Sequence, residues 1–126
     1  QVWANTGTIQ TSDEREKREV KPSDLGLDFI TRLQPISWVF ADQPASEIIT
    51  EDGRIQIVPE RKYTRPHYGL GAQQVRKVLD DLGVADFAGY IHDADADVYA
   101  LRYNEFIAPL IMAVQELAEQ IKEKKN

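Results

Sequence analysis

The 126-residue chain is long enough for one domain with a modest core. With 42% apolar and 29% charged residues it is globular rather than disordered, and its net charge of −6 weighs against non-specific nucleic-acid binding, which needs clustered Lys and Arg. It has no cysteine, so no disulfide and no thiolate metal site, and no apolar run approaches the ~20 residues of a membrane-spanning helix.

The chain opens at Gln1 rather than Met, which predicts a piece of a longer polypeptide. Residues 1–11 are uncharged, Thr-rich and broken by Asn5-Thr6-Gly7, so they read as the end of an upstream β structure. Charge rises abruptly from Asp13 to Lys21. That break puts a boundary at Thr11/Ser12, with residues 12–126 as the domain proper. Ser12 and Lys17 sit five apart in this stretch. A lysine amine can serve as general base for a serine hydroxyl if burial or neighbouring cations strip its proton. A bland alternative competes, because Ser-Asp-x-Arg also reads as a helix cap or turn and charge runs are usually solvated faces.

Pro22-Ser23-Asp24 reads as a helix start, with Leu25, Leu27, Phe29, Ile30 and Leu33 as the apolar face and Pro35 as the stop. Ile36 to Phe40 suggests a strand. Ile48-Ile49 and Arg54 to Val58 flank Glu51-Asp52-Gly53, which predicts a hairpin. Residues 59–68, polar and basic with Pro59 and Pro66, read as a connection. Ala72–Leu82 reads as a second helix, with Val75, Val78, Leu79 and Leu82 on one face and Gly83 as its stop. Residues 87–91 and 98–101 flank an acidic loop and suggest a second hairpin.

Asn104 is positioned to cap a long terminal helix running to about Lys124. Ile107, Leu110, Val114, Leu117 and Ile121 recur at spacings of 3, 4, 3 and 4, a coiled-coil seam that Phe106, Ile111, Ala113 and Ala118 widen. A seam this regular predicts a helical partner, most simply another copy of the chain. The expected fold is therefore α+β: helices with two short β-hairpins in a winged-helix-like outline, and a long C-terminal helix that self-associates as a coiled coil, which the resemblance described below makes a trimeric one.

Other motifs carry less. His67 and His92 suggest a Ser–His–Asp site, but no G-x-S-x-G elbow is present. Asp93, Asp95 and Asp97 alternate like a calcium loop, yet Val98 stands where that loop needs Gly and Asn104 where it needs Glu. They read as an acidic hairpin loop, and no metal or cofactor is expected. Gly69-Leu70-Gly71 is too short for a nucleotide fingerprint. Trp38 and Phe40 read as core.

Four blocks, in order, resemble the S74 peptidase family, the intramolecular chaperone domains at the C-termini of phage tailspikes, tail fibres, neck appendages and endosialidases. They are Ser12-Asp13-Glu14-Arg15-Glu16-Lys17; Gly26 to Trp38 (GLDFITRLQPISW); His67 to Val75 (HYGLGAQQV); and Leu101 to Ile111, continued by Ala113 to Leu117. Two positions depart from the pattern: Gly71 stands where Ile is usual, and Gln74 where Glu is usual. The resemblance implies a domain that trimerises and helps an upstream β-rich fibre passenger fold. It would then cut itself off before the motif serine, at Thr11–Ser12, with Ser12 as nucleophile and Lys17 as base. Asp13 and Arg15 become a turn carboxylate and its ion-pair partner, and His67 a further residue positioning the site. It also implies a phage virion precursor matured in the host bacterial cytoplasm, with partners limited to its own copies and its passenger, and with neither membrane nor nucleic acid. A chaperone module that does not cleave is the alternative, and a winged-helix regulatory domain, disfavoured by the acidic balance, is a more distant one.

Overall fold

The computed structural model describes residues 9–125, and in chain order these form short helices and three antiparallel strand pairs. A 3-10 turn (Glu14–Glu16) precedes α1 (Leu27–Arg32) and β1 (Ile36–Trp38). The hairpin β2 (Ser46–Ile49) and β3 (Ile55–Val58) follows, then β4 (His67–Gly69) and α2 (Ala72–Asp81). A second hairpin, β5 (Tyr90–Asp93) and β6 (Val98–Leu101), leads through a 3-10 turn (Tyr103–Phe106) into α3 (Ile107–Lys125). The mixed α+β expectation holds. Of the expected upstream segment, Ile9 to Thr11 fall within the described residues and the rest lies outside them.

The core forms where α1, α2 and the start of α3 meet. Leu25, Phe29, Val75, Val78, Leu79 and Phe106 are buried together, and Phe29, Val75 and Leu79 are almost fully enclosed. Phe29, Phe87 and Phe106 pack ring on ring at centroid distances of 5.3–5.9 Å. Helix α2 contributes most because Val75, Val78 and Leu79 recur at helical spacing, and Gly83 ends it at φ +74°, a conformation glycine adopts without steric cost.

Several expectations need correction. Helix α1 begins at Leu27, not Pro22, because the Ser23 hydroxyl is used locally: it donates to Leu25 O at 2.7 Å and accepts from Leu25 N at 3.3 Å. The first strand stops at Trp38, and His67 to Gly69, the first two of which were expected to lie in a connection, pair with it as β4 (Ile36 with Gly69, Trp38 with His67). A third strand pair thus joins the two expected hairpins. Residues 87–89 form the turn into β5 rather than part of the strand. Asn104 lies inside the 3-10 turn and does not cap α3. Phe106 and Ala113 are buried in the domain rather than widening the outward seam. Trp38 and Phe40 lie outside the core, in a separate cluster with His67 and Tyr63, and Phe40 is half exposed.

Helix α3 has two faces. Its inner face carries Phe106, Pro109 and Ala113 against the domain. Its outer face carries Ile107, Leu110, Val114, Leu117 and Ile121, each 46–59% exposed, and from Val114 to Lys125 no residue is buried. The β2–β3 hairpin also presents apolar side chains, with Ile49, Ile55 and Ile57 on one face, all largely exposed.

Two departures from the family pattern have a local setting. Gly71 precedes α2 at an ordinary φ of −88°, and an added Cβ there would meet only Ile36, at 4.0 Å. The Gln74 amide donates to the Arg32 carbonyl at the end of α1 at 3.2 Å, a bond a carboxylate could not make.

Candidate functional site

The site begins where the chain turns. Asp13 sits just ahead of the first 3-10 turn in an extended conformation (φ −80°, ψ 121°), and its carboxylate accepts Arg15 N–H at 3.0 Å. This is the ordinary use of Asp at a helix start, where backbone donors lack partners. Glu16 N donates to Asp13 O and Lys17 N to Glu14 O, each at 3.1 Å, which closes one tight turn. The Arg15 guanidinium folds back over the same carboxylate, with Nη2 to Oδ2 at 2.7 Å and Nε to both oxygens at 3.1 Å. The turn returns Lys17 to Ser12, and Lys17 Nζ lies 2.9 Å from Ser12 Oγ.

The electrostatics follow from these contacts. The Arg15 guanidinium holds the Asp13 carboxyl below the usual carboxylate range, aided by the Arg15 N–H and by the nearby Lys17 charge. Asp13 in turn raises Arg15 further above its ordinary value. The two charges are therefore committed to each other. Ser12 and Lys17 are both exposed. The separation of 2.9 Å is within the reach a general base needs, and the fixed spacing of the turn makes the encounter local rather than diffusive.

His67 is elsewhere. Its ring lies 6.1 Å from that of Trp38 and 4.9 Å from that of Phe40, and among the described residues it makes no hydrogen bond to Ser12 or Lys17. His92 pairs with Asp97 at 3.2 Å and stacks on Tyr99 at 4.0 Å, and among the described residues no serine joins them. The Asp93 carboxylate accepts Asp95 N and Ala96 N, so it closes the hairpin turn. No cluster of metal-ligating side chains occurs among the described residues.

Sequence reading passed over three further residues, Tyr103, Glu116 and Gln10. Tyr103 Oη accepts Leu70 N at 3.0 Å and donates to Leu70 O at 3.3 Å, tying the entry of α3 to the β4–α2 connection. Gly69 permits this, since a Cβ there would collide with the Tyr103 hydroxyl and crowd Trp38. Glu116 on α3 accepts Leu27 N at 3.2 Å, and Gly26 leaves room for that carboxylate. The two glycines, each inside a family block, were the available hints of close approach. Gln10, just ahead of the expected cut, shares a cleft with the turn at residues 102–105.

A serine hydroxyl thus lies 2.9 Å from a lysine amine on a tight turn ahead of a small α+β domain. The family described as the chaperone of endosialidase, Peptidase_S74, matches residues 12–84, more than half of the chain, and the match opens on Ser12. The chain belongs to this S74 peptidase family. The resembling block at Leu101 to Leu117 lies beyond the matched residues. No curated protein and no solved structure matches the chain.

Proposed function

We propose that the chain is a C-terminal intramolecular chaperone that assembles as a homotrimer through α3. It assists folding of an upstream β-rich phage fibre or tailspike passenger in the host bacterial cytoplasm. It then releases itself by one cut in cis at Thr11–Ser12, which separates the passenger end (residues 1–11) from the chaperone (12–126). The observation that carries this reading is the 2.9 Å approach of Lys17 Nζ to Ser12 Oγ at the first residue of the family match.

Two features support assembly. The outward seam of α3 is unpartnered over its full length, and a helix segment with no buried residue is marginal alone in water. An isolated two-stranded hairpin carrying exposed isoleucines is marginal too. Both deficits are relieved by burial against further chains.

In the cut, Ser12 Oγ attacks the carbonyl carbon of Thr11 while the neutral Lys17 amine takes the hydroxyl proton. The tetrahedral adduct collapses, the Thr11–Ser12 C–N bond breaks, and the departing nitrogen takes the proton back from Lys17. Thr11 is then an ester on Ser12 Oγ, and water hydrolyses it to a Thr11 carboxylate and a free Ser12 amine and hydroxyl. For this the amine must accept a proton from Ser12 rather than donate one. Arg15 is poorly suited to drive that change because Asp13 offsets its charge. Burial of the exposed pair on trimer formation, with Arg18 nearby in sequence, is the better cause, since desolvation disfavours the ammonium form. Assembly thereby triggers the cut.

The test is mass spectrometry of a precursor carrying its natural upstream sequence. The expected products end at Thr11 and begin at Ser12, and Ser12→Ala and Lys17→Ala each leave a single assembled species. Cleavage that persists in Ser12→Ala removes Ser12 from the mechanism. A wild-type precursor that assembles yet stays intact favours the alternative, a chaperone module whose motif only builds a turn.

A further inference from the structure

Gln10 lies two residues ahead of Ser12 and lines a cleft of about 320 Å³ with Arg102, Tyr103, Asn104 and Glu105. With Gln10 in its wall, the open volume is at the small end of binding pockets and leaves room for that side chain to settle against the 102–105 turn. We propose that this cleft is the subsite that grips the acyl side of the scissile bond and fixes the Thr11 carbonyl for attack. The proposal rests on the self-cleavage reading and adds to it the residues that select and position the segment to be cut.

Placement comes first. Gln10 is bonded directly to Thr11, and consecutive Cα atoms are only about 3.8 Å apart. A grip on the Gln10 side chain therefore holds the reacting carbonyl within one residue. Misplacing a reacting centre by about 1 Å can cost on the order of 100-fold in rate.

The walls are tied to the body of the domain, whereas the Ser12–Lys17 turn is bonded only within itself among the described residues. Arg102 N donates to Gly89 O and Arg102 Nη1 to Ala88 O, both at 2.8 Å. Tyr103 is bound to both backbone groups of Leu70, and Phe106 is buried in the core. The 102–106 segment is thus fixed from three sides. The Ser12–Lys17 turn, by contrast, is exposed and is held by bonds among its own residues. The fixed surface against which the scissile segment can be aligned is the 102–105 turn.

The lining chemistry suits a neutral carboxamide. Arg102 supplies donors, Glu105 acceptors and Asn104 both, while Gln10 presents one donor group and one acceptor. A carboxylate at position 10 would share the cleft with the Glu105 carboxylate, while the Arg102 guanidinium on the same wall is already engaged by the Ala88 carbonyl. The same turn runs directly into α3, whose first seam residue, Ile107, is 54% exposed and follows Phe106. Packing of three seams at Ile107 and Leu110 therefore bears on the floor of the cleft, which gives assembly a short route to the scissile bond.

The experiment follows first-order cleavage of the natural precursor, with trimer content measured in parallel by sedimentation. Gln10→Glu is expected to assemble but to cleave at least about tenfold more slowly. Combining it with Glu105→Gln, which removes the opposing charge, is expected to restore the rate to that of the Glu105→Gln single variant. Gln10→Ser, which shortens the side chain without adding charge, is expected to slow cleavage and to gain nothing from Glu105→Gln. Wild-type rates in both Gln10 variants, or a slow Gln10→Glu that Glu105→Gln does not rescue, overturn the subsite while leaving self-cleavage intact. A wild-type precursor that never cleaves overturns the parent reading and this one together.

Discussion

The carboxylate of Glu116, on the seam helix, accepts the backbone N–H of Leu27 at the start of α1, 3.2 Å away and 89 residues earlier in the chain. No side chain within α1 caps that end, and Gly26 supplies none. Glu116→Ala is therefore expected to destabilise the domain by about 1 kcal/mol, the usual cost of losing a cap, and Glu116→Gln to retain most of it. Gly26→Ala is expected to cost more, because its Cβ would run into Glu116 and Met112. Urea unfolding of the three variants at one protein concentration checks the order.

The two faces of α3 predict opposite phenotypes. Leu117→Asp and Val114→Asp change exposed positions and are expected to leave helix content intact while sedimentation shifts from trimer to monomer. Phe106→Ala removes a buried ring in contact with Phe29 and Phe87 and is expected to cost about 3 kcal/mol. A wild-type protein that sediments as a monomer at tens of micromolar contradicts the seam.

These two faces also show how far the sequence could be read. The 3-4 spacing from Ile107 to Ile121 identified the outward stripe, but a helix with apolar residues on both sides does not say which stripe meets its own domain, so Phe106 and Ala113 were placed on the wrong one. Helix α2 was legible because its face and its stop at Gly83 are both local. Strand β4 was not, because three residues next to a proline become a strand only through Trp38 and Ile36, about thirty residues away. The Pro22-Ser23-Asp24 start signal misled because the Ser23 hydroxyl found a nearer partner at Leu25. At the site, the Ser12–Lys17 contact spans a single turn and its spacing was visible. The Glu116–Leu27 and Tyr103–Leu70 contacts depend on tertiary packing, and only the glycines beside them marked the places.

Asp13 sets the pH behaviour of the turn. Arg15 lowers its carboxyl pKa in the folded chain, so the turn gains order from this pair at every pH above the usual carboxylate range. That contribution fades as pH falls below that range and through the lowered folded value. It is constant across neutral pH. Carboxyl-carbon NMR of Asp13 is expected to give a midpoint below that in Arg15→Ala, where the main cause of the shift is gone. Coincident titrations in the two proteins would show that the ion pair does not persist in solution.

Lys17→Arg separates a base from a mere hydrogen-bond donor. Arginine keeps the positive charge and enough reach to donate to Ser12 Oγ, but its guanidinium does not give up a proton in proteins. If Lys17 only orients the serine or stabilises the turn, the variant should assemble and retain much of its cleavage. If the amine accepts the Ser12 proton, Lys17→Arg should assemble normally and leave the precursor uncut, as Lys17→Ala does. Base catalysis contributes on the order of 10²–10⁴ in rate, so the loss is visible as a change from complete cleavage to an intact band over the same interval. Trimeric, uncut Lys17→Arg precursor beside a fully processed wild type is the expected result.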